Sequence, residues 1–213
     1  MPLRRTFLLL ATALLTVSTT TGQLLSQVPL TTDPDAIEED WVLVVADPDP
    51  IGIGPQITTV MSPDGGDTVK FVAFDMNYRE YPNFAPGGLQ TQIWAADQVI
   101  GTSTQGSALF NTIGEQVSWT QRMSLIGNIL TYDIQNGSST TWGQFGQGAR
   151  LRVSFPTTLV SLAGYASNNS ATRSGVSWEQ NHVRSLTLAK VRYYANGQLI
   201  WTDNNPKILV DNQ

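Results

Sequence analysis

The stretch of residues 190–202, KVRYYANGQLIWT, is the clearest indication of the fold class of this protein. Asn196 and Gly197 stand at its centre, and both central residues of a type I′ turn need positive φ, which these two residue types adopt readily. Apolar, β-branched and aromatic residues flank the turn on both sides, as is typical of strands. The stretch therefore predicts a two-residue hairpin that joins Lys190–Ala195 to Gln198–Thr202.

The same pattern extends outward through the rest of the chain. Short runs rich in apolar and β-branched residues alternate with clusters of Pro, Gly, Asn and Asp, which favour turns. Helical spacing is nearly absent, and only 156–163 suggests a short helical turn. The remaining predicted strands are Trp41–Val45, Gln56–Met61, Val69–Tyr78, Leu89–Ile100, Val117–Leu125, Asn128–Gln135 and Arg150–Phe155. This pattern predicts an all-β protein, either an antiparallel β-sandwich of the jelly-roll kind or a barrel. We expect the sandwich, because long strands with one polar and one apolar face suit stacked sheets.

The first 22 residues have the pattern of a signal peptide. Arg4 and Arg5 precede an apolar run over 6–17, and small polar residues follow it over 18–22. The apolar run is shorter than the roughly 20 residues of a membrane-spanning helix. We therefore expect a secreted or periplasmic protein, with an uncleaved anchor as the alternative.

Residues 23–40 are predicted to form an acidic, proline-containing linker. Pro29 and Pro34 fall in it together with Glu38 and Glu39, and both proline and like charge oppose a packed core. No internal repeat or second linker follows. Residues 41–213 are thus predicted to form one β-sandwich domain.

Composition excludes several classes of function. The chain has no cysteine, which rules out a disulfide scaffold, thiolate metal sites, cysteine catalysis and a lipid-modified cysteine. It is acidic, with a net charge of −5, and has no basic run interleaved with aromatic residues. Nucleic acid is therefore not an expected partner. The absence of cysteine in an exported chain also suggests a bacterial source.

A polar stripe on one predicted strand is the main candidate site. Gln90, Gln92 and Trp94 share one face of the strand over 89–100, opposite Leu89, Thr91 and Ile93. Amides can exchange hydrogen bonds with sugar hydroxyls, and an indole face can stack on sugar C–H groups. If the preceding strand pairs with this one, Asp75 and Asn77 extend the same face. A solvated outer face with an incidental tryptophan is the alternative.

A glycine-rich loop over 142–148 supplies a further candidate, Trp142. It could form a wall of the binding site. The alternative is a tight connection whose aromatic side chains plug one end of the sandwich. No helix follows the loop, so its glycines do not form a phosphate cradle.

Candidates for catalysis are sparse. Glu179 and His182 could act as acid and base, although a polar turn before a strand explains them equally, and one histidine alone makes a poor zinc site. No Gly-x-Ser-x-Gly pattern occurs. Glycoside hydrolysis needs two carboxyl groups about 5–9 Å apart, for which Glu80, Glu115 and Glu179 are the candidate acids.

Two aspartate pairs leave calcium open as a ligand. Asp47 with Asp49, and Asp64 with Asp67, place oxygen ligands in turns, which suits a hard cation. Neither pair follows the twelve-residue calcium loop with its closing glutamate. Aspartate is also simply a common turn residue.

The hairpin and the polar face together give a family resemblance. The segment Tyr193–Trp201 and the Gln90, Gln92, Trp94 stripe resemble the concanavalin-A-like lectin and glucanase sandwiches. That resemblance implies a stacked-sheet fold and carbohydrate as ligand. Glucanases of that family carry Glu-x-Asp-x-(x)-Glu, and the nearest segment here, Asp75–Glu80, lacks the first glutamate.

The predicted function is that of a non-catalytic binding module for a glycan or cell-surface polymer. Its expected binding residues are Gln90, Gln92, Trp94, Asp75, Asn77 and Trp142. Two alternatives stay open, a polysaccharide-active hydrolase or lyase and a structural protein of the envelope or matrix. The sequence does not determine the oligomeric state.

Overall fold

The computed structural model describes residues 30–47, 55–64, 70–77, 88–106 and 112–212. Within them the chain forms two antiparallel β-sheets, so the predicted all-β, sandwich-like architecture is confirmed. The signal peptide, 1–22, lies outside the described residues and stays a prediction. No helix in the described ranges is both long and apolar enough to cross a membrane.

The larger sheet has eight strands and the smaller has five. The larger sheet contains β1 (Ala36–Val45), β6 (Gln116–Ile126), β7 (Ile129–Ser139), β8 (Gly143–Phe145), β9 (Arg152–Pro156), β11 (Val183–Ala195), β12 (Gln198–Asp203) and β13 (Lys207–Asp211). The smaller sheet contains β2 (Gln56–Met61), β3 (Lys70–Asn77), β4 (Leu89–Ala95), β5 (Gln98–Gln105) and β10 (Gly175–Trp178). One short helix, α1 (Ser167–Arg173), and single 3₁₀ turns at Gln147–Ala149 and Gln180–His182 complete the described structure.

The strand order places β1 and β3 inside their sheets. The larger sheet runs β12-β11-β1-β6-β7-β8, with β13 also paired to β11 and β9 to β7. The smaller sheet runs β10-β2-β3-β4-β5. In β3 the side chains Val72, Phe74 and Met76 face the core, and Ala73 and Asp75 on the other face are also buried between the neighbouring strands.

One apolar core joins the two sheets. Trp41 and Trp119 stack with ring centroids 6.2 Å apart, and Phe74 of the smaller sheet meets Trp119 edge to face at 5.8 Å. These side chains are fully or almost fully buried. Aromatic burial of this extent, at about 25 cal/mol per Å² of apolar surface, is the main source of stability for such a sandwich.

The hairpin predicted from residues 190–202 is confirmed. Asn196 and Gly197 have φ of 51° and 74°, and Ala195 pairs with Gln198. Turn chemistry alone selected this geometry, because positive φ at both positions follows the right-handed twist of the flanking strands.

The prediction of a single strand over 89–100 is wrong, because the chain forms two strands there, β4 and β5. Ala96 and Asp97 form a tight turn between β4 and β5, with φ of 47° and 63°. Alanine is a poor residue for positive φ, so the residue types gave no turn signal.

The linker predicted over 23–40 ends earlier than its composition suggested. Strand β1 begins at Ala36 and carries alternating side chains, so that Glu38 and Asp40 face outward while Glu39 points into the core. Outside, Arg192 pairs with both Glu38 and Asp40, and Arg122 also pairs with Glu38, so two cations balance the two outward carboxylates. Similarly, the helical turn suggested at 156–163 is displaced, since α1 occupies Ser167–Arg173.

Candidate functional site

A cleft of about 700 Å³ lies across the outer face of the smaller sheet. Alternate residues of β2, β3 and β4 line it, while the intervening ones face the core. Residues that face each other across neighbouring strands arrange this lining in three rows. The first row is Thr58, Asp75 and Gln90; the second is Val60, Ala73, Gln92 and Thr102; the third is Phe71, Trp94 and Val99.

Asp75 is the enclosed carboxyl group of this cleft. Its residue is 6% exposed, and Thr58 Oγ1 donates a hydrogen bond of 2.6 Å to its Oδ1. Burial raises the pKa of Asp75 to about 6, and the bond from Thr58 only partly opposes that rise. A carboxyl group with that pKa exchanges its proton near neutral pH, as a general acid or base must.

A chain of hydrogen bonds orients the two glutamines. Trp94 Nε1 donates to Gln92 Oε1 at 2.9 Å, and Gln92 Nε2 donates to Gln90 Oε1 at 2.7 Å. The side-chain oxygen of Gln90 therefore accepts a hydrogen bond from Gln92, and Nε2 is the donor group of the Gln90 side chain. Gln90 stands directly opposite Asp75 on the neighbouring strand, where facing Cβ atoms lie roughly 4.5–5.5 Å apart.

Helix α1 borders the cleft on the β2 side. Ser174, at its C-terminal cap, accepts the backbone N–H of Val60 at 2.8 Å. Arg173, in the last turn, lies over the ring of Phe71 at 4.3 Å from the centroid. The third row therefore combines two stacked aromatic rings, Phe71 and Trp94 at 6.0 Å, with a neighbouring cation.

Four of the residues singled out from the sequence meet in this cleft: Asp75, Gln90, Gln92 and Trp94. Asn77 faces Gln56 in the backbone register, and its side chain lies outside the described residues. Trp142 does not line the cleft. It stacks on the buried ring of Phe145 at 5.2 Å and packs against the core, as the plug alternative expects.

Of the other candidate acids, the two that the structure describes, Glu115 and Glu179, do not line the cleft with Asp75. Glu115 is 1% exposed in the larger sheet and accepts a hydrogen bond from Ser139 at 2.7 Å. Glu179 lies 3.5 Å from His182, whose Nδ1 contacts the backbone oxygen of Asp47. Glu80 lies outside the described residues.

The calcium prediction is untested. Asp49 and Asp67 lie outside the described residues, so neither aspartate pair is complete in them. Among the described side chains, no group of three or more His, Cys, Asp or Glu is placed to hold a metal ion.

Sequence reasoning missed Thr58 and Phe71, which line the cleft, and Arg173, which lies over the ring of Phe71 beside it. Thr58 and Phe71 are ordinary strand residues, and Arg173 is brought to Phe71 only by the packing of α1. Strand parity could have found Phe71, because it shares a face with Asp75 on β3. No local signal marks Arg173.

The two sheets and the cleft define an all-β protein with a carboxyl group enclosed on a concave sheet face. No family model matches the chain, and no curated protein matches it. Among solved structures it is similar to scytalido-glutamic peptidase, in complexes with a peptide-based transition state analog and with a transition state analog inhibitor, at TM-scores of 0.31 and 0.32. It is also similar to SCP-B, a member of the Eqolisin family of peptidases in complex with the tripeptide Ala-Ile-His, at a TM-score of 0.30. Each comparison covers 86% of both chains at 9% identity.

The predicted non-catalytic glycan-binding module is wrong. The solved structures that resemble the chain are peptidases, which are hydrolases. The amides expected to meet sugar hydroxyls are instead bonded to one another, and the indole of Trp94 stacks on Phe71. A likeness at this identity and these TM-scores carries neither substrate nor mechanism to this chain.

Proposed function

We propose that the protein is a hydrolase of peptide or related acyl bonds, with Asp75 as its acid–base group. The observation that carries the proposal is the enclosed carboxyl group of Asp75, with a pKa of about 6, facing Gln90 across an open cleft. Perturbed titration in a cleft is characteristic of catalytic groups.

Each residue of the first row has a role in this reaction. The Asp75 carboxylate takes a proton from a water molecule while the water oxygen attacks the substrate carbonyl carbon. The substrate carbonyl oxygen becomes negatively charged and accepts a hydrogen bond from Gln90 Nε2. Nε2 is the available group of Gln90 because its Oε1 already accepts a hydrogen bond from Gln92. The proton then passes from Asp75 to the leaving nitrogen as the C–N bond breaks.

Thr58 positions the carboxyl group. Its hydroxyl holds Oδ1 of Asp75, which directs the other carboxyl oxygen toward the reacting water. The Trp94, Gln92 and Gln90 chain positions the amide in the same way. Preorganised donors of this kind avoid the cost of reorientation during reaction.

The distances favour acyl transfer over glycoside hydrolysis. Among the described residues, the cleft lining contains two carboxyl groups, Asp75 and Asp97. Asp97 follows Gln90, the residue opposite Asp75, by seven positions, and the strand ends two residues before it. At about 3.3 Å per residue this separation exceeds the 5–9.5 Å that paired carboxyl catalysis needs.

The test is cleavage of a synthetic peptide library, read by mass spectrometry between pH 4 and 8. We expect new termini with the native chain, and at least about a hundredfold slower cleavage with Asp75→Asn, because general acid–base catalysis contributes about 10²–10⁴-fold. Asp97→Asn is the matched control, since it removes the other cleft carboxyl, and we expect its rate to be no lower than that of the native chain. Equal rates for native chain and Asp75→Asn would exclude the proposal.

Two sequence-based expectations stay proposals beside this one. The leader over 1–22 supports export to the periplasm or medium, and the aspartate-rich turns leave calcium open as a structural ligand. The finer likeness to concanavalin-A-like sandwiches also stays a prediction.

A further inference from the structure

Arg173 is a charged residue beside the cleft, because its guanidinium lies over the ring of Phe71, which lines the cleft. Its Nη1 is buried and has no hydrogen-bond partner among the described residues. No described carboxylate lies within ion-pair distance of its guanidinium, whereas Arg122, Arg152 and Arg192 are each paired to one. A buried donor on a charged group is costly when it is left unbonded.

The position of Arg173 is set by packing rather than by an ion pair. Helix α1 is fixed to the sheet where Ser174 accepts the Val60 N–H, and the guanidinium then lies over the Phe71 ring at 4.3 Å. A guanidinium stacked on an aromatic ring keeps its edge free to bind an anion in its plane. The Phe71 ring also lines the cleft.

From this arrangement we infer that Arg173 makes the cleft selective for substrates that carry a carboxylate. This inference rests on the proposed function. Arg173 binds the carboxylate of the substrate by a charge-assisted bond, and the Phe71–Trp94 pair packs against the adjoining apolar stem. It is a specificity-determining residue and takes no part in bond cleavage.

The spacing of the rows locates the acidic group. Phe71 lies four residues before Asp75 on the same strand, which corresponds to roughly 13 Å. An extended peptide spans that distance with about four residues. The preferred substrate therefore has an acidic side chain about three or four positions from the cleaved bond. A free C-terminal carboxylate at the same distance offers the same chemistry.

Asp97 bears on the same end of the cleft. It lines the cleft at the β4–β5 turn, on the side of Trp94 opposite α1. Its negative charge repels an incoming carboxylate. The preference for acidic substrates therefore depends on the positive charge of Arg173, because the described charged groups that line the cleft are acidic. Arg173→Met removes the charge while an unbranched apolar side chain still covers Phe71.

The test uses four versions of one peptide from the cleavage library. The position of the acidic residue holds either Glu or Gln, and the C-terminus is either free or amidated. We expect the native chain to cleave the Glu peptide at least about tenfold more efficiently than the Gln peptide, as kcat/KM, and Arg173→Met to bring the ratio close to one. Arg184→Met, an exposed arginine on β11, is the matched control and keeps the native ratio. A preference that follows amidation rather than the Glu/Gln exchange assigns the site to the terminal carboxylate.

Binding is measured separately from turnover, with Asp75→Asn and the same Glu and Gln peptides, through the NMR signals of ¹⁵N-labelled arginine side chains. Cleavage of the Glu and Gln peptides at equal rates, by native chain and Arg173→Met alike, overturns the inference and leaves the proposed hydrolase intact. Absence of any cleavage, with selective binding of the Glu peptide that Arg173→Met abolishes, supports the carboxylate site and overturns the hydrolase. Absence of both overturns both.

Discussion

The buried carboxyl group of Asp75, which the proposed reaction requires, lowers the stability of the folded protein at neutral pH. Burial disfavours its charged form, so its pKa of about 6 in the folded protein exceeds the ordinary value of 3.8. Between these two values the folded state binds more protons than the unfolded state, and stability falls as pH rises. Above pH 6 the full cost is present, which amounts to about 3 kcal/mol as an upper bound.

Replacing Asp75 by asparagine is therefore expected to stabilise the protein at pH 7 while it abolishes cleavage. Asparagine has the same shape, keeps an acceptor for Thr58, and carries no charge to desolvate. Urea unfolding at pH 4 and pH 7 checks this: the variant should exceed the native chain by roughly 1–3 kcal/mol at pH 7 and match it near pH 4. A variant less stable than the native chain at pH 7 would contradict the assigned pKa.

Glu39 is a second buried carboxyl group, placed between the sheets rather than in the cleft. It is fully buried, and it accepts hydrogen bonds from Tyr165 Oη at 2.5 Å, Trp41 Nε1 at 2.9 Å and Gln121 Nε2 at 3.0 Å. Burial raises its pKa, although these bonds act in the opposite direction. The three donors make Glu39 a structural acceptor that no solvent reaches.

Removal of the Glu39 side chain should destabilise the protein strongly. Glu39→Ala leaves three buried donors without an acceptor as well as a cavity, and we expect a loss of about 3–5 kcal/mol in the free energy of unfolding. Tyr165→Phe removes a single bond and should cost only about 1–2 kcal/mol. Thermal and urea unfolding of both variants measure the difference, and similar losses would argue against the acceptor role.

At the scale of elements, close approach of strands β7 and β8 depends on a glycine. A Cβ atom at Gly137 would overlap the ring of Phe145, which is fully buried between Trp142 and Phe74. The strand can therefore pack on this ring only because position 137 has no side chain.

Gly137→Ala is expected to cost about 1–3 kcal/mol, since an overpacked core must shift a ring that has no free space. Gly106→Ala is the control, because a methyl group added there would meet no atom of the described residues within 4 Å and the φ of Gly106 is not positive. The unfolding midpoints of the two variants should differ clearly, and equal midpoints would show that the core adapts to the methyl group.

Elements also show how far prediction from sequence extends. The Asn196-Gly197 turn and the alternation of β4 were predicted, because both depend on residues within a few positions of each other. The Ala96-Asp97 turn and the entry of β1 at Ala36 were not. In both places, pairing with neighbouring strands outweighs local composition. For β1, Glu38 and Asp40 become favourable strand residues only when Arg192 lies beside them.

For the whole molecule, fully enclosed and partly buried, ion-paired carboxyl groups shift stability with pH in opposite directions. The pKa values of Asp75 and Glu39 are raised by burial. The pKa values of Glu38 and Asp203 are lowered. Hydrogen bonds from Tyr194 and Arg192 at Glu38, and from Asn205 and Lys207 at Asp203, outweigh the effect of their partial burial. The first pair contributes stability that is lost as pH rises, and the second pair contributes stability that is lost as pH falls.

Stability of the native chain should therefore be greatest at mildly acidic pH, between about pH 4 and 5, and fall toward both pH 3 and pH 7. The net charge of −5 at pH 7 adds self-repulsion on the neutral side. Urea midpoints measured from pH 3 to 8 check the curve. Asp75→Asn should reduce the loss of stability between pH 5 and 7 and leave the loss below pH 4 unchanged. A stability maximum of the native chain above pH 7 would contradict the prediction.

The all-β class, the closing hairpin and the shared face of Gln90, Gln92 and Trp94 follow from residue order alone, because strand parity and turn chemistry are local properties. What else lies on that face depends on contacts between residues distant in the chain. Pairing of β3 with β2 and β4 sets Asp75 between Thr58 and Gln90, and burial there raises its pKa. Packing of α1 brings Arg173 over Phe71 from about a hundred residues away along the chain. Desolvation and contact between distant residues exist only in the folded chain, and they convert a polar stripe into a candidate active site.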